Sequence, residues 1–130
     1  MSKLQQIVET VNTYLPGSAT AAIILAAGDS KRMGTINKLF FPINGIPVLA
    51  HTLIAYQKCP LITEIVVVAK PSDFSKIQEF KYKYGIKKLT HLVPGGETRQ
   101  ESAANGMAKL SDDIKFVAFA DGARCLTTPT

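Results

Sequence analysis

Three short segments hold side chains and glycines in patterns that chemistry could use. The first runs LAAGDSKRMGTINK, from Leu25 to Lys38. A glycine and basic residues directly after an apolar run suit a loop that wraps phosphates with backbone N–H groups. The small residues Ala26, Ala27 and Gly28 let a nucleotide base and ribose approach the backbone closely. Arg32 and Lys38 are spaced to reach a triphosphate from two sides, the arginine forking two oxygens and the lysine acting as a point charge. An ordinary strand-to-helix loop with surface charge fits the same residues, and spacing alone leaves both readings open. Two common phosphate loops are excluded. Met33 stands where a Walker A loop needs its second glycine, and Ser30 and Met33 occupy the second and third glycine positions of a dinucleotide fingerprint. The second segment is GGETRQES, Gly95 to Ser102, a glycine pair that either builds a binding loop or caps the next helix. The third is Asp121-Gly122-Ala123-Arg124. Alone, Asp121 reads equally well as a turn residue after a strand.

The elements that must position these segments follow from periodicity. Leu4, Ile7, Val8, Val11 and Leu15 recur at helical spacing, and Pro16-Gly17 stops them, so residues 1–17 read as an amphipathic helix and linker. Residues 18–130 form the remaining unit. Strands are expected at Ala21–Ala26, Glu64–Ala69, Leu89–Val93 and Phe116–Ala120, each short, apolar and continuous. Asn44-Gly45 signals a turn, and Pro47 opens a helix whose apolar face is Val48, Leu49, Leu53 and Tyr56. Ser72 or Asp73 caps a helix ended by Gly85, and a third helix spans about Glu97 to Leu110. Alternation of buried strands and helices implies an α/β fold, a Rossmann-like, mostly parallel sheet with helices on both faces. Such sheets bind ligands beyond the carboxyl ends of their strands, where Gly28, Gly95-Gly96 and Asp121 fall.

Composition narrows the class. The chain has 130 residues, 46% hydrophobic and 19% charged, which suits one folded domain and excludes a disordered chain. Its net charge of +5 favours anionic partners, phosphorylated small molecules among them. No basic run is interleaved with aromatics, so no nucleic acid is expected as a partner. Cys59 and Cys125 lack metal-ligand spacing and read as reduced thiols. No apolar run reaches the ~18 residues that span a membrane, so no membrane partner and a cytoplasmic location are expected.

The segment LAAG-x-x-x-RMG followed by Lys38 resembles the opening signature of nucleotidyltransferases that activate sugars, sugar alcohols and the molybdenum cofactor. GGETRQES resembles the GG-x-x-R-x-x-S segment of 2-C-methyl-D-erythritol 4-phosphate cytidylyltransferases, and Phe119-Ala120-Asp121-Gly122-Ala123-Arg124 resembles that family's strand-end aspartate and arginine. The resemblance covers residues 21–130. It implies a cytidylyltransferase of isoprenoid precursor synthesis, moving CMP from CTP to a sugar-alcohol phosphate with release of pyrophosphate. It implies catalytic roles for Arg32 and Lys38, and nucleotide contacts from Ala26, Ala27, Gly28, Gly96, Glu97, Ser102 and Arg124. Asp121 is the implied ligand of Mg²⁺, a hard ion that prefers oxygen donors. Arg99 would brace the loops. Ser30, Leu39 and Cys125 depart from the family's usual residues. Members of the family are longer and form homodimers, so the chain reads as a nucleotidyltransferase truncated before its acceptor site and inactive alone. The competing expectations are a molybdenum-cofactor or sugar-phosphate nucleotidyltransferase, a ribitol-phosphate cytidylyltransferase, and a non-catalytic nucleotide-binding remnant.

Overall fold

The computed structural model describes residues 19–28 and 38–122. The N-terminal amphipathic segment, Ser30, Arg32, Arg124 and Cys125 lie outside the described residues. The main elements are β1 (Ala19–Ala26), β2 (Pro42–Ile43), β3 (Ile46–Pro47), α1 (Val48–Gln57), β4 (Ile62–Ala69), α2 (Phe74–Lys83), β5 (Leu89–Pro94), α3 (Arg99–Met107) and β6 (Ile114–Asp121).

Four strands form a parallel sheet in the order β5-β4-β1-β6. The chain winds from β1 outward to β4 and β5, then returns across the sheet to place β6 on the other side of β1. Alternation of side chains gives the sheet two apolar faces. On one, Ala22, Ile24, Ile65 and Val67 pack with Leu49 and Leu53 of α1 and Ile77 and Phe80 of α2. On the other, Ile23, Val66, Val68 and Val93 form a smaller cluster. There α3 lies close enough that a Cβ on Gly106 would meet Ile23 Cγ2 at 2.9 Å and Val68 Cγ2 at 3.0 Å. The expected parallel sheet with helices on both faces is therefore present. The strands extend past the expected limits, because backbone pairing such as Ala19 with Ile114 and Thr20 with Ile62 does not require apolar side chains. Among the described residues no helix is long and apolar enough to cross a membrane.

Local chemistry fixes the connections. Asn44 and Gly45 take positive φ, 54° and 78°, which joins Ile43 to Ile46 in a two-residue hairpin. His51 of α1 reaches that hairpin through Nε2, 2.8 Å from the Ile43 carbonyl oxygen. Pro47 is not the first helical residue. Its ψ of 146° keeps it extended, and α1 begins at Val48. Asp73 stands at the cap position of α2, but its backbone is already helical and its side chain makes no capping bond; a 3-10 turn over Pro71–Asp73 leads into the helix instead. Gly85 ends α2 as expected, with φ 68° and the Ile86 N–H donating to the Lys81 carbonyl at 2.9 Å. The third helix is shorter than expected at both ends, Arg99–Met107: Thr98 caps its start, and the chain turns from Ala108 onward.

Tyr56 is buried against Cys59 at the end of α1, and burial, helped by the thiol, pushes its hydroxyl from 10.0 up to about 12. The folded chain thus holds this proton more tightly than the unfolded chain. Its contribution to stability is complete below pH 10 and is lost as the pH rises from about 10 to about 12. Denaturation midpoints measured across that window should fall more steeply for the unaltered protein than for Tyr56→Phe. Parallel curves would show that the phenol is not protected by the fold.

Candidate functional site

Beyond the carboxyl ends of the four strands lies an open cleft of about 410 Å³. Leu25, Ala27 and Gly28 come from the end of β1, Lys70 from β4, Gly96, Glu97 and Thr98 from the β5–α3 loop, Arg99 and Ser102 from α3, and Asp121 from β6. The reversal of winding between β1 and β6 opens this crevice, since the connections on either side of it lead away in opposite directions.

The β5–α3 loop is held by its own helix. The Thr98 hydroxyl accepts from the Glu101 N–H at 3.0 Å, and Glu101 Oε2 accepts from the Glu97 N–H at 2.8 Å, a variant of the capping box in which the carboxylate reaches one residue further back. The Gly96 N–H donates to Ser102 Oγ at 3.0 Å. That serine is buried and lines the cleft, and its hydroxyl proton has no acceptor among the described residues, so it is available to a ligand. Asn105 Nδ2 ties the far side of the loop to the Pro94 carbonyl at 2.9 Å. Both glycines are steric requirements. A Cβ on Gly95 would collide with the Ala27 Cβ, and one on Gly96 with the Glu101 Cβ.

The end of β6 is positioned from beneath. The Gly122 N–H donates to the Leu25 carbonyl at 3.0 Å, and its own carbonyl accepts from the buried Thr52 hydroxyl of α1 at 2.8 Å. Leu39, Leu49 and Ala26 crowd the same glycine. Asp121 therefore leaves a fixed stem. Its Oδ1 pairs with Arg99 Nη1 at 2.8 Å across the cleft. With Arg99 about 65% exposed, such a pair contributes at most about 1 kcal/mol, so an incoming charge can displace it.

Of the residues singled out in the sequence, the cleft gathers Ala27, Gly28, Gly96, Glu97, Ser102 and Asp121, with Arg99 beside them. Ala26 is not among its walls: strand alternation turns it into the core under α1, 2% exposed. Lys38 does not line the cleft either. It is exposed in a 3-10 turn, Lys38–Phe40, whose Leu39 lies over Gly122. Sequence reasoning missed Thr52, the Thr98–Glu101 cap and Lys70. The [ST]-x-x-[DE] spacing signals the cap, and Lys70 directly follows the clearest strand in the chain. Among the described residues no group of three or more His, Cys, Asp or Glu side chains could hold a metal. A carboxylate such as Asp121 at the mouth of the cleft is the kind of donor Mg²⁺ takes when substrate phosphates supply its other oxygens.

A doubly wound parallel sheet with small residues, a glycine loop and one carboxylate at its strand ends defines a Rossmann-like α/β domain of the nucleotidyltransferase type. The profile of the 2-C-methyl-D-erythritol 4-phosphate cytidylyltransferase family matches residues 20–130. The chain belongs to that family. The enzyme of that name from Dehalococcoides mccartyi is 41% identical over 108 residues, covering 83% of this chain and 47% of the relative. The one from Clostridium acetobutylicum is 44% identical over 105 residues, covering 79% and 45%. The crystal structure of 4-diphosphocytidyl-2C-methyl-D-erythritol synthase from Anaerococcus prevotii superposes with a TM-score of 0.73 at 31% identity, covering 88% of this chain and 47% of the other. The chain thus spans about half the length of the curated relatives it matches.

The Thr52–Gly122 bond gives a direct test of how Asp121 is held. Thr52→Val keeps the shape of the side chain but leaves a buried carbonyl with one partner fewer. It should destabilise the fold by about 1–3 kcal/mol in urea denaturation, with Thr52→Ser recovering most of the loss. A valine variant as stable as the parent would remove this bond from the account.

Proposed function

We propose that the chain binds CTP in this cleft and transfers CMP to 2-C-methyl-D-erythritol 4-phosphate, releasing pyrophosphate. The observation that carries the reading is the β5–α3 loop: a preformed turn of Gly96 and Glu97 beside a buried serine whose hydroxyl has a proton to give, at the end of the cleft opposite Asp121. Ser102 donates to the O2 carbonyl of a pyrimidine, and Glu97 supplies acceptors for the exocyclic amine that distinguishes cytosine from uracil. Ala27 and Gly28 leave room for the ribose.

In this reading the acceptor's phosphate oxygen attacks the α-phosphorus of CTP in line, the new P–O bond forms, and the bond to pyrophosphate breaks. The protein positions the reactants and neutralises charge rather than forming covalent intermediates. Lys38 at the turn beside Gly122, together with Arg32, six residues earlier in the sequence, stabilises charge on the reacting phosphate. Arg124, three residues after Asp121 in the sequence, supports the nucleotide. Asp121 would hold Mg²⁺, which when bound screens the phosphate charge. Arg99 would then be released from the carboxylate.

Calorimetric titration with ATP, GTP, UTP and CTP in the presence of Mg²⁺ tests the nucleotide assignment, and CTP is expected to bind most tightly. Pyrophosphate release from CTP should require the added acceptor phosphate. Equal affinity for the four nucleotides would overturn the cytidine assignment, and CTP binding without acceptor-dependent release would overturn the transfer.

A further inference from the structure

Lys70 is a cleft residue to which none of the sequence motifs assigns a role. It follows Ala69, the last residue of β4, with extended backbone, φ −68° and ψ 136°. The Asp73 N–H donates to its carbonyl at 2.8 Å, and the Ala69 carbonyl accepts from the Gly95 N–H at 3.3 Å. The backbone at this position is thus fixed on both sides and abuts the glycine pair. The strand order sets which end of the cleft it serves. β4 neighbours β5 and is two strands from β6, so roughly 10 Å of sheet separates it from the strand that carries Asp121. Lys70 stands with Gly96 and Ser102, away from the carboxylate.

Its charge is also uncommitted. Among the described residues, the other cation lining the cleft is Arg99, which is paired with Asp121 at 2.8 Å. Lys70 is exposed, and its side chain makes no hydrogen bond or ion pair with the described residues. An ammonium group only donates. Ser102, which lines the same cleft, also has a proton to give, and two donors converging on one ligand fit an edge with two adjacent acceptors. A cytosine ring has such an edge, O2 and N3. Uracil does not, because its N3 carries a hydrogen.

We propose that Lys70 is a specificity-determining residue that donates to N3 of cytosine next to the Ser102 hydroxyl on O2, and so discriminates cytosine from uracil. The inference rests on the CTP reading above and adds a second side chain, beside Glu97, that selects cytosine. With uracil in the same place, Ser102 keeps the O2 carbonyl, but the ammonium faces an N–H and loses its partner, a mismatch of donor against donor.

The test is calorimetric titration of the full chain and its Lys70→Met and Lys70→Arg variants with CTP, CMP, UTP and UMP. Lys70 is exposed at a strand end, and methionine keeps its apolar stem, so the fold should persist; thermal midpoints of the three proteins check this. Losing a charged donor should weaken CTP and CMP by the same factor, about 10- to 100-fold, while UTP and UMP change by less than about 2-fold. Arginine should restore most of the lost affinity. A loss much larger for the triphosphate than for the monophosphate would make Lys70 a phosphate contact and overturn the proposal. So would equal losses for the two bases. A preference for CTP over UTP undiminished in Lys70→Met overturns this inference alone, since Glu97 accounts for any smaller preference that remains, whereas an unaltered protein that binds CTP and UTP alike overturns the cytidine reading with it.

Discussion

The cleft depends on two hydrogen bonds that carry the parallel ladder one residue past its strands. Gly95 donates to Ala69, and Gly122 donates to Leu25. Parallel ladders space their bonds evenly, so each added rung places the first residue of a loop by the same rule that places the strand. The β5–α3 loop and the Asp121 corner therefore start from positions referred to β4 and β1, the strands paired on both sides within the sheet. Without those rungs, the same loop sequences would begin from loose strand ends, and the Thr98, Ser102 and Arg99 side chains would have no common frame.

The two ends of the sheet divide the work. At the amino end, polar side chains are spent on the fold: Ser111 Oγ donates to the buried Glu64 Oε1 at 2.6 Å, and the Thr63 hydroxyl donates to the Thr20 carbonyl at 3.3 Å. At the carboxyl end, polar groups are oriented but not used up. Ser102 keeps its proton, Lys70 its charge, and Asp121 a partner held at the surface. Packing reinforces the division. The face under α1 and α2 carries the large core, while α3 sits on the smaller one with glycine at its closest approach to Ile23 and Val68. That close approach brings Thr98 and Arg99, at the start of α3, down to the strand ends, where the loop needs them.

Much of this was legible in the sequence. A parallel strand buried on both faces must be apolar throughout, so Ala21–Ala26 and Glu64–Ala69 announced themselves, and the rule that ligands gather beyond such strands pointed to Gly28, Gly96 and Asp121. What escaped notice depends on direction rather than composition. Ala26 and Ala27 are alike in type, but the pleat of β1 continues to its end and sends one into the core and the other into the cleft. The glycine pair showed that backbone was needed close to something, without showing that Ala27 and Glu101 were the neighbours. Thr52 lies 70 residues from Gly122, a separation at which no local pattern signals a contact. Asp73 looked like a cap because its type and position were right, yet Pro71 had already turned the chain into a helical path. Lys70 was passed over because a lone lysine after a strand belongs to no motif.

The meeting of Gly95 with Ala27 has a consequence for how the family's sequences can change. The two positions, 68 residues apart, share space for one methyl group and not two. Alanine at 95 is sterically shut out while alanine stands at 27, but the exchange of both residues would leave the contact filled by a single methyl as before. The effects of the two substitutions are thus strongly non-additive. Only one order of events crosses between the two solutions without a collision: the side chain on the β1 loop must shrink first, and only then can the one on the β5 loop grow. The floor of the cleft thereby imposes a direction on sequence drift, although neither residue carries any group that could take part in the chemistry.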